Sequence, residues 1–377
     1  AYWCLLPALA ASLAVAFLAR DLFTLFVAVE MLTFTALTLA CLDGRPSQFQ
    51  AELRYLLFAL LGSVLYLLGC ALLYGAYGTL DIGLLTGATH ADVPTRLAGA
   101  LMTAGLLAKM ALFPLHLWLP PAHSGAPPAG SALLSGLVVK GAFVLVVRLW
   151  FWVLPGPPVA GAELLAGLGA AAILIGSVVA LRQDRLKALI AYSTVAQIGY
   201  LFLMFPLLMA GDPDAAARAW TGGALQAVSH ALAKAAMFLA AGLVVQSLGD
   251  DRIAGLGGAA RAAPLAVIAL GIGGLSLMGV PPSGGFTAKW LLLRASVDTG
   301  QWWWSFVILA GGLLSGGYVY RIVAAALGPP APGAAPRPVP RLQEGCVLGL
   351  ALASMLLGLL PLSAFELARI GQPVLGP

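Results

Sequence analysis

Apolar stretches of about 20 residues recur along this chain from one end to the other, separated by short connections carrying Gly, Pro and charged residues. A hydrocarbon layer about 30 Å thick demands that length of each spanning helix. Eleven runs can be traced, near residues 2–19, 22–41, 54–76, 97–118, 131–154, 161–181, 188–209, 219–247, 264–298, 303–327 and 345–363. Composition shows why so little is left for loops. Of 377 residues, 61% are hydrophobic and 9% charged, whereas soluble domains carry about 25% charged residues. The expected fold class is an all-α polytopic membrane protein of about eleven transmembrane helices, with residues 1–377 forming one membrane domain. A water-soluble enzyme is excluded.

The net charge of +5 is spread too thinly for nucleic-acid binding and reads instead as a topology signal. Cys4, Cys41, Cys70 and Cys346 are isolated, with no C-x-x-C pair or Cys/His cluster to hold zinc, haem or an iron–sulfur centre. No cofactor and no metal are expected of this chain. Its first residue is Ala, and residues 1–19 are already apolar without the basic start and cleavage site of a signal peptide. The expectation is an incomplete or trimmed start, inside or just before a spanning helix.

Two of the runs are interrupted. The fourth contains Pro114 and ends on Pro120-Pro121, and the ninth contains Gly279-Val-Pro-Pro-Ser-Gly-Gly285. Both are expected to be broken helices. They lie five spans apart, which divides the chain into repeats at 1–154 and 155–327, followed by a Pro-rich extended linker at 328–344 and a final helix and tail at 345–377. Five is odd, so the second repeat is expected to be inverted, with the transport pathway at the breaks.

Connections on one side carry Arg45, Arg54, Arg182, Arg185, Lys187, Arg252, Arg261, Arg337 and Arg341, whereas the other side carries Arg20, Arg96, Arg218 and Arg369. The first side, which includes residue 1, is therefore expected to be cytoplasmic. Lysines behave differently from arginines. Lys109, Lys140, Lys234 and Lys289 lie inside spans, whereas most arginines lie at span ends, with Arg148, Arg294 and Arg321 the deepest. An arginine stays protonated under all conditions, whereas a desolvated lysine can release and retake a proton. Glu30 reads as the single mid-span acid, and an unpaired carboxylate there would be costly. Lys109 is its candidate partner, and parting such a pair would trigger proton release. His230 and Lys234 are spaced i, i+4 on one helix face, near Gln226 and Ser229. An imidazole can accept a proton on one nitrogen while donating from the other. Lys289 follows the break of the ninth span.

Each of these has a plainer reading. One intramembrane lysine can simply snorkel to the interface. Four lysines, a glutamate and a histidine across six spans instead favour a polar axis for ion movement. His116 and His123, beside the fourth span's break, read as structural hydrogen-bonding groups. Tyr192, Ser193, Thr194 and Gln197 form a stripe that can serve to pack helices. Trp302-Trp303-Trp304 reads as an interfacial anchor, and His90 as a loop residue.

At this point a resemblance becomes specific. Lys109-Met-Ala-Leu-Phe-Pro-Leu-His-Leu-Trp-Leu-Pro-Pro-Ala-His123, then Ala126-Pro127-Pro128 and Ser131-Ala-Leu-Leu-Ser-Gly-Leu-Val-Val-Lys140, resemble the signature of the proton-conducting antiporter-like membrane subunits. These occur in Mrp-type cation/proton antiporters, respiratory complex I and membrane-bound hydrogenases. Asp184-Arg-Leu-Lys-Ala-Leu-Ile-Ala-Tyr-Ser-Thr-Val-Ala-Gln-Ile-Gly199, Ser229-His-Ala-Leu-Ala-Lys234 and Gly279-Val-Pro-Pro-Ser-Gly-Gly-Phe-Thr-Ala-Lys289 continue the match in order. The resemblance implies a fourteen-helix fold with two inverted five-helix repeats, of which the first three helices are missing here. It also implies a midplane proton path through Glu30, Lys109, Lys140, His230, Lys234 and Lys289.

Within the family, Ser131-Ala-Leu-Leu-Ser-Gly136 and the run ending at Gln301-Trp-Trp-Trp304 look most like the D-type member of the Mrp antiporters or a hydrogenase relative. The expected function is thus the proton-translocating subunit of a multi-subunit cation/proton antiporter. The alternatives are an antiporter-like proton-pumping subunit of a redox complex, either a complex I-like NADH-quinone oxidoreductase or a membrane-bound hydrogenase, and the membrane subunit of an inorganic-carbon uptake complex. In none of these does this chain hold a catalytic centre. Expected partners are other membrane subunits, protons and the lipid bilayer of the bacterial inner membrane. Sodium, a hard cation needing several oxygen ligands, is expected only on a neighbouring subunit.

Overall fold

Inside a bilayer every backbone N–H and C=O must find a partner within the protein, which leaves helices as the simplest solution. The computed structural model follows that rule. It describes residues 2–44, 46–156, 158–330 and 337–373, apart from the side chains of Ser47, Leu362, Leu367 and Ala368. Among the described residues the elements are helical, and strand pairing is limited to two isolated bridges. Among the described residues, eight helical segments are long and apolar enough to cross a membrane, and two further apolar helices, Tyr2–Leu18 and Pro264–Met278, are shorter. The chain is an all-α polytopic membrane protein. It divides into two compact units, Ala1–Ala162 and Glu163–Pro377.

In the first unit, α1 (Tyr2–Leu18) and α2 (Leu22–Ala40) form an antiparallel pair, and α3 (Pro46–Tyr77) packs on α2. A short α4 (Ile82–Leu85) leads to α5 (Val93–Met110), α6 (Leu119–Gly125) and α7 (Pro128–Leu133). A π-helical turn (Leu134–Val138), α8 (Val139–Arg148) and a second π turn (Leu149–Val153) complete the unit. Helices α3 and α5 approach closely because Gly62 faces Gly105. A Cβ on Gly105 would lie 2.3 Å from the Gly62 carbonyl oxygen, and one on Gly62 would lie 2.5 Å from that of Gly105. Apolar side chains gain little by leaving lipid for a helix interface, so such close small-residue contact is what holds helices together.

The interruption of the fourth span is real. Helix α5 stops at Ala111, whose φ of +56° is left-handed, and Pro114, in a cis peptide with Phe113, supplies no N–H to continue it. Trp118 caps the end by donating from Nε1 to the Ala108 carbonyl at 2.9 Å.

The second unit takes in most of α9 (Val159–Leu181), then α10 (Leu186–Phe202), α11 (Met204–Leu208), α12 (Pro213–Leu248) and the short α13 (Ala259–Ala262). The ninth run is two helices, α14 (Pro264–Met278) and α15 (Gly284–Asp298), followed by α16 (Trp303–Leu327) and α17 (Arg341–Leu356). Helix α14 ends in a Schellman turn. Gly279 sits at φ +83° and the Val280 N–H reaches back to the Leu275 carbonyl at 3.1 Å. Ser283 then opens α15 by accepting from the Phe286 N–H at 3.1 Å.

The two units repeat several details. Leu22 N–H bonds the Leu80 carbonyl and Ile82 N–H the Arg20 carbonyl, just as Leu186 N–H bonds Asp251 and Ile253 N–H bonds Asp184. Arg148 donates to the Ala19 and Phe17 carbonyls at the end of α1, and Arg321 donates to the Leu181 carbonyl at the end of α9. Of the three deep arginines, Arg148 and Arg321 therefore cap helix C-termini.

Two boundaries differ from the sequence reading. The third span begins at Pro46 rather than 54, because polar residues 48–54 continue the helix before its apolar stretch. Glu52 is thereby an intrahelical, buried acid, so Glu30 does not stand alone. The last helix begins at Arg341, not 345, and places Glu344 where its Oε1 accepts from the Leu265 and Ala266 N–H groups that open α14. Of the Pro-rich linker, residues 331–336 lie outside the described residues.

Candidate functional site

Glu30 lies near the middle of α2, on the face that meets α3. Its Oε1 accepts from Lys109 Nζ at 2.7 Å and also from the Ser63 hydroxyl of α3. The pair is buried, with side-chain exposures of 5% for Lys109 and 15% for Glu30. Lys109 occupies the last turn of α5, where the unpaired carbonyls and the helix dipole both favour a cation. The Gly62–Gly105 contact sets this geometry, since a Cβ on Gly62 would also lie 3.2 Å from Lys109 Cγ.

Lys140 is buried in α8, and its Nζ turns back to donate to the Ser135 carbonyl within the π-helical turn. A π turn inside an α-helix frequently marks a functional position. His116 and His123, which flank α6's start and end, are both buried, and His90 lies in an exposed loop.

In the second unit Lys234, with 0% exposure, donates to the Ile190 carbonyl at 2.7 Å and to the Ser193 hydroxyl. His230 lies one turn earlier on α12 and is buried. Beyond the break, Lys289 donates to the Leu277 carbonyl near the end of α14 and stands over the Tyr200 ring, 4.1 Å from its centroid. Lys289 thus reaches the C-terminal end of the first half of its broken helix, as Lys109 does within α5.

A run of polar groups lies between Lys234 and Lys289. Gln197 donates to the Leu277 carbonyl at 3.1 Å and lies 3.5 Å from the Ser315 hydroxyl, and its own Oε1 accepts from Gln226 at 3.0 Å. Tyr318 donates to Ser315 at 2.9 Å, and Ser193, which receives Lys234, lies one turn before Gln197 on α10. A neighbouring knot of Ser229, Ser276 and Ser354 hydroxyls closes within 3.2 Å. The stripe at 192–197, read as helix contact, therefore supplies Ser193 and Gln197 to the charged cluster. Tyr200, Ser315, Tyr318 and Ser354 carried no signal in the sequence, because a hydroxyl inside an apolar run leaves no pattern. Of the tryptophan triplet, Trp302 and Trp303 are exposed while Trp304 is buried and bonded to Gln301.

Chemically, these clusters hold ammonium groups out of water, each donating to a carbonyl, hydroxyl or carboxylate. Such an array can store, release and pass protons. Among the described residues no group of three or more His, Cys, Asp or Glu is placed to hold a metal ion.

Comparison with known proteins identifies the family. Residues 19–315 match the family described as NADH:quinone oxidoreductase/Mrp antiporter, transmembrane. NADH-quinone oxidoreductase subunit N of Desulforudis audaxviator is 36% identical over 328 residues, covering 85% of this chain and 64% of that protein. F(420)H(2) dehydrogenase subunit N of Methanosarcina mazei is 30% identical over 377 residues, covering 95% and 74% respectively. Among solved structures, a chain of the Mrp complex from Dietzia sp. superposes with a TM-score of 0.89 at 28% identity, covering 97% of this chain and 76% of that one. This chain thus spans just under two thirds of the length of the first of these relatives. A match over most of the chain, joined to lysines buried beside two broken helices, places it in the NADH:quinone oxidoreductase/Mrp antiporter transmembrane family.

Proposed function

We propose that this chain is an antiporter-like, proton-translocating subunit of a membrane-bound oxidoreductase complex, in the manner of the subunit N proteins it resembles. The observation that carries the reading is the buried Glu30–Lys109 pair at the break of α5, supported by sequence relatives named for redox complexes rather than for Mrp. The expectation of a D-type Mrp antiporter component gives way to the redox alternative on that ground. Glu30, Lys109 and Lys140 serve the first unit, and His230, Lys234 and Lys289 serve the second. Glu30 holds the Lys109 ammonium in place, and separating the two frees Lys109 to give up its proton. Electron transfer and quinone chemistry reside on other subunits of a complex in a bacterial inner membrane, with the residue 1 side cytoplasmic.

The test is to isolate the complex through a tag on this chain and identify its other subunits by mass spectrometry. Iron–sulfur or flavin proteins are expected, together with proton uptake into vesicles when the complex is supplied with reductant. Small hydrophobic antiporter subunits without redox proteins would instead favour an Mrp-type antiporter, the second reading, which the Mrp-like fold supports.

A further inference from the structure

Among the described residues two buried acids stand outside both clusters, Glu344, which is bonded to the start of α14, and Glu52. Glu52 lies on the second turn of α3, is 2% exposed, and neither of its buried carboxyl oxygens has a hydrogen-bond partner among the described residues. An ionised carboxylate in such a place needs a cation, donors or water to compensate it. Among the described residues no hydrogen-bond donor reaches the group, and a bound proton would neutralise it. We propose that Glu52 is a second proton-exchanging carboxyl of the first unit, an uptake station between the N-terminal end of α3 and the Glu30–Lys109 pair. The proposal deepens the proton-translocating reading and rests on it.

The placement supports this. Gln48, one turn before Glu52, donates from Nε2 to the Gly125 carbonyl at the end of α6 at 2.8 Å. Tyr55, one turn after it, stacks on Trp118 at the start of α6 with ring centroids 4.2 Å apart. These two contacts bracket Glu52 on the α3 face that meets α6, the helix carrying the fully buried His123. On its other side the route leads inward. Tyr55 is buried beside Thr33, and Thr33 lies three residues from Glu30 on α2, on the same helix face. Along α3, Ser63 is bonded to Glu30, and eleven residues at 1.5 Å each put it about 16 Å beyond Glu52. Tyr55 and Thr33 supply hydroxyls within that interval, and bridging waters can complete it. The N-terminal end of α3, which carries Arg54, lies on the side assigned to the cytoplasm. A proton taken up there meets Glu52 before it meets Glu30.

The test uses the intact complex in proteoliposomes, with Glu52→Gln, Glu52→Asp and Lys109→Ala compared at equal complex content. Glu52→Gln is expected to lower proton flux by about tenfold or more, with Glu52→Asp recovering part of the loss. Flux in Glu52→Gln equal to wild type, while Lys109→Ala abolishes it, would overturn the role of Glu52 and leave the proton-translocating reading standing. Normal flux in Lys109→Ala would overturn that reading itself. If Glu52→Gln does not assemble, treatment of the wild-type complex with N,N′-dicyclohexylcarbodiimide decides, since this reagent modifies protonated carboxyls in apolar surroundings. An adduct on Glu52, identified by peptide mass spectrometry, supports the proposal, and a fully recovered unmodified Glu52 peptide overturns it.

Discussion

Lys109 Nζ meets Glu30 Oε1 at 2.7 Å across the junction of α5, α2 and α3, and Ser63 donates to the same oxygen. One carboxylate oxygen thus receives an ammonium and a hydroxyl from two different helices, at the point where α5 stops. Any shift of α5 along or away from α3 lengthens the ion pair. The broken helix and the pair form one device, because the break releases the carbonyls that help hold Lys109 and the pair fixes where α5 ends.

The pair should show energetic coupling. Removing one member of a buried pair strands the other, so Lys109→Met and Glu30→Gln should each lower the thermal stability of the complex. The double substitution should cost less than the sum of the two, by about 0.5–3 kcal/mol. Strict additivity of the two shifts would show that the charges do not interact.

Gly105 is expected to tolerate no side chain. With the Gly62 carbonyl 2.3 Å from the Cβ it would acquire, Gly105→Ala should cost about 1–3 kcal/mol through overpacking. It should also slow proton flux by parting α5 from α3. Melting of the purified complex and vesicle flux measure the two effects, and an unchanged flux would separate the helix contact from the ion pair.

The two C-terminal arginine caps should differ in what rescues them. Arg148 holds two carbonyls with two guanidinium nitrogens, while Arg321 holds the Leu181 carbonyl through one. Replacing either by Ala should cost about 1.5–3 kcal/mol. Lysine should restore stability at 321 far better than at 148, since an ammonium lacks the fork. Equal rescue at both positions would contradict the two-point cap.

Tyr318 donates to Ser315, which joins the Gln197 network one turn along α10 from the Ser193 hydroxyl that receives Lys234. Tyr318→Phe removes the phenol hydroxyl while keeping the ring. It should slow proton flux by about tenfold without loss of assembled complex. Wild-type flux in this variant would show that protons bypass the Tyr318 hydroxyl.

How much of this was legible in the sequence depended on the kind of signal. Apolar runs mark spans almost independently of tertiary structure, so α2, α9 and α16 fall where hydropathy puts them. Pro114 and Gly279-Val-Pro-Pro282 mark the breaks, because a missing N–H or a left-handed turn is a local property of those residues. The Glu30–Lys109 pair was legible because a lone mid-span acid demands a cation. Glu52 was not, since Gln48, Gln50 and Arg54 around it made that stretch resemble a loop, and its burial comes from tertiary packing around α3. Tyr318 and Ser315 became visible only once α16 was placed beside α10 and α14. The choice between Mrp-like and redox-like relatives was set by similarity over the whole chain, to which Ser131-Ala-Leu-Leu-Ser-Gly136 contributes only a little.

Proton flux through the assembled complex carrying Lys109→Ala tests the central claim most directly. With the complex reconstituted in vesicles and its content matched to wild type, the account predicts that proton translocation falls to background while the other subunits remain bound. Translocation at the wild-type rate in that assembled variant would contradict it.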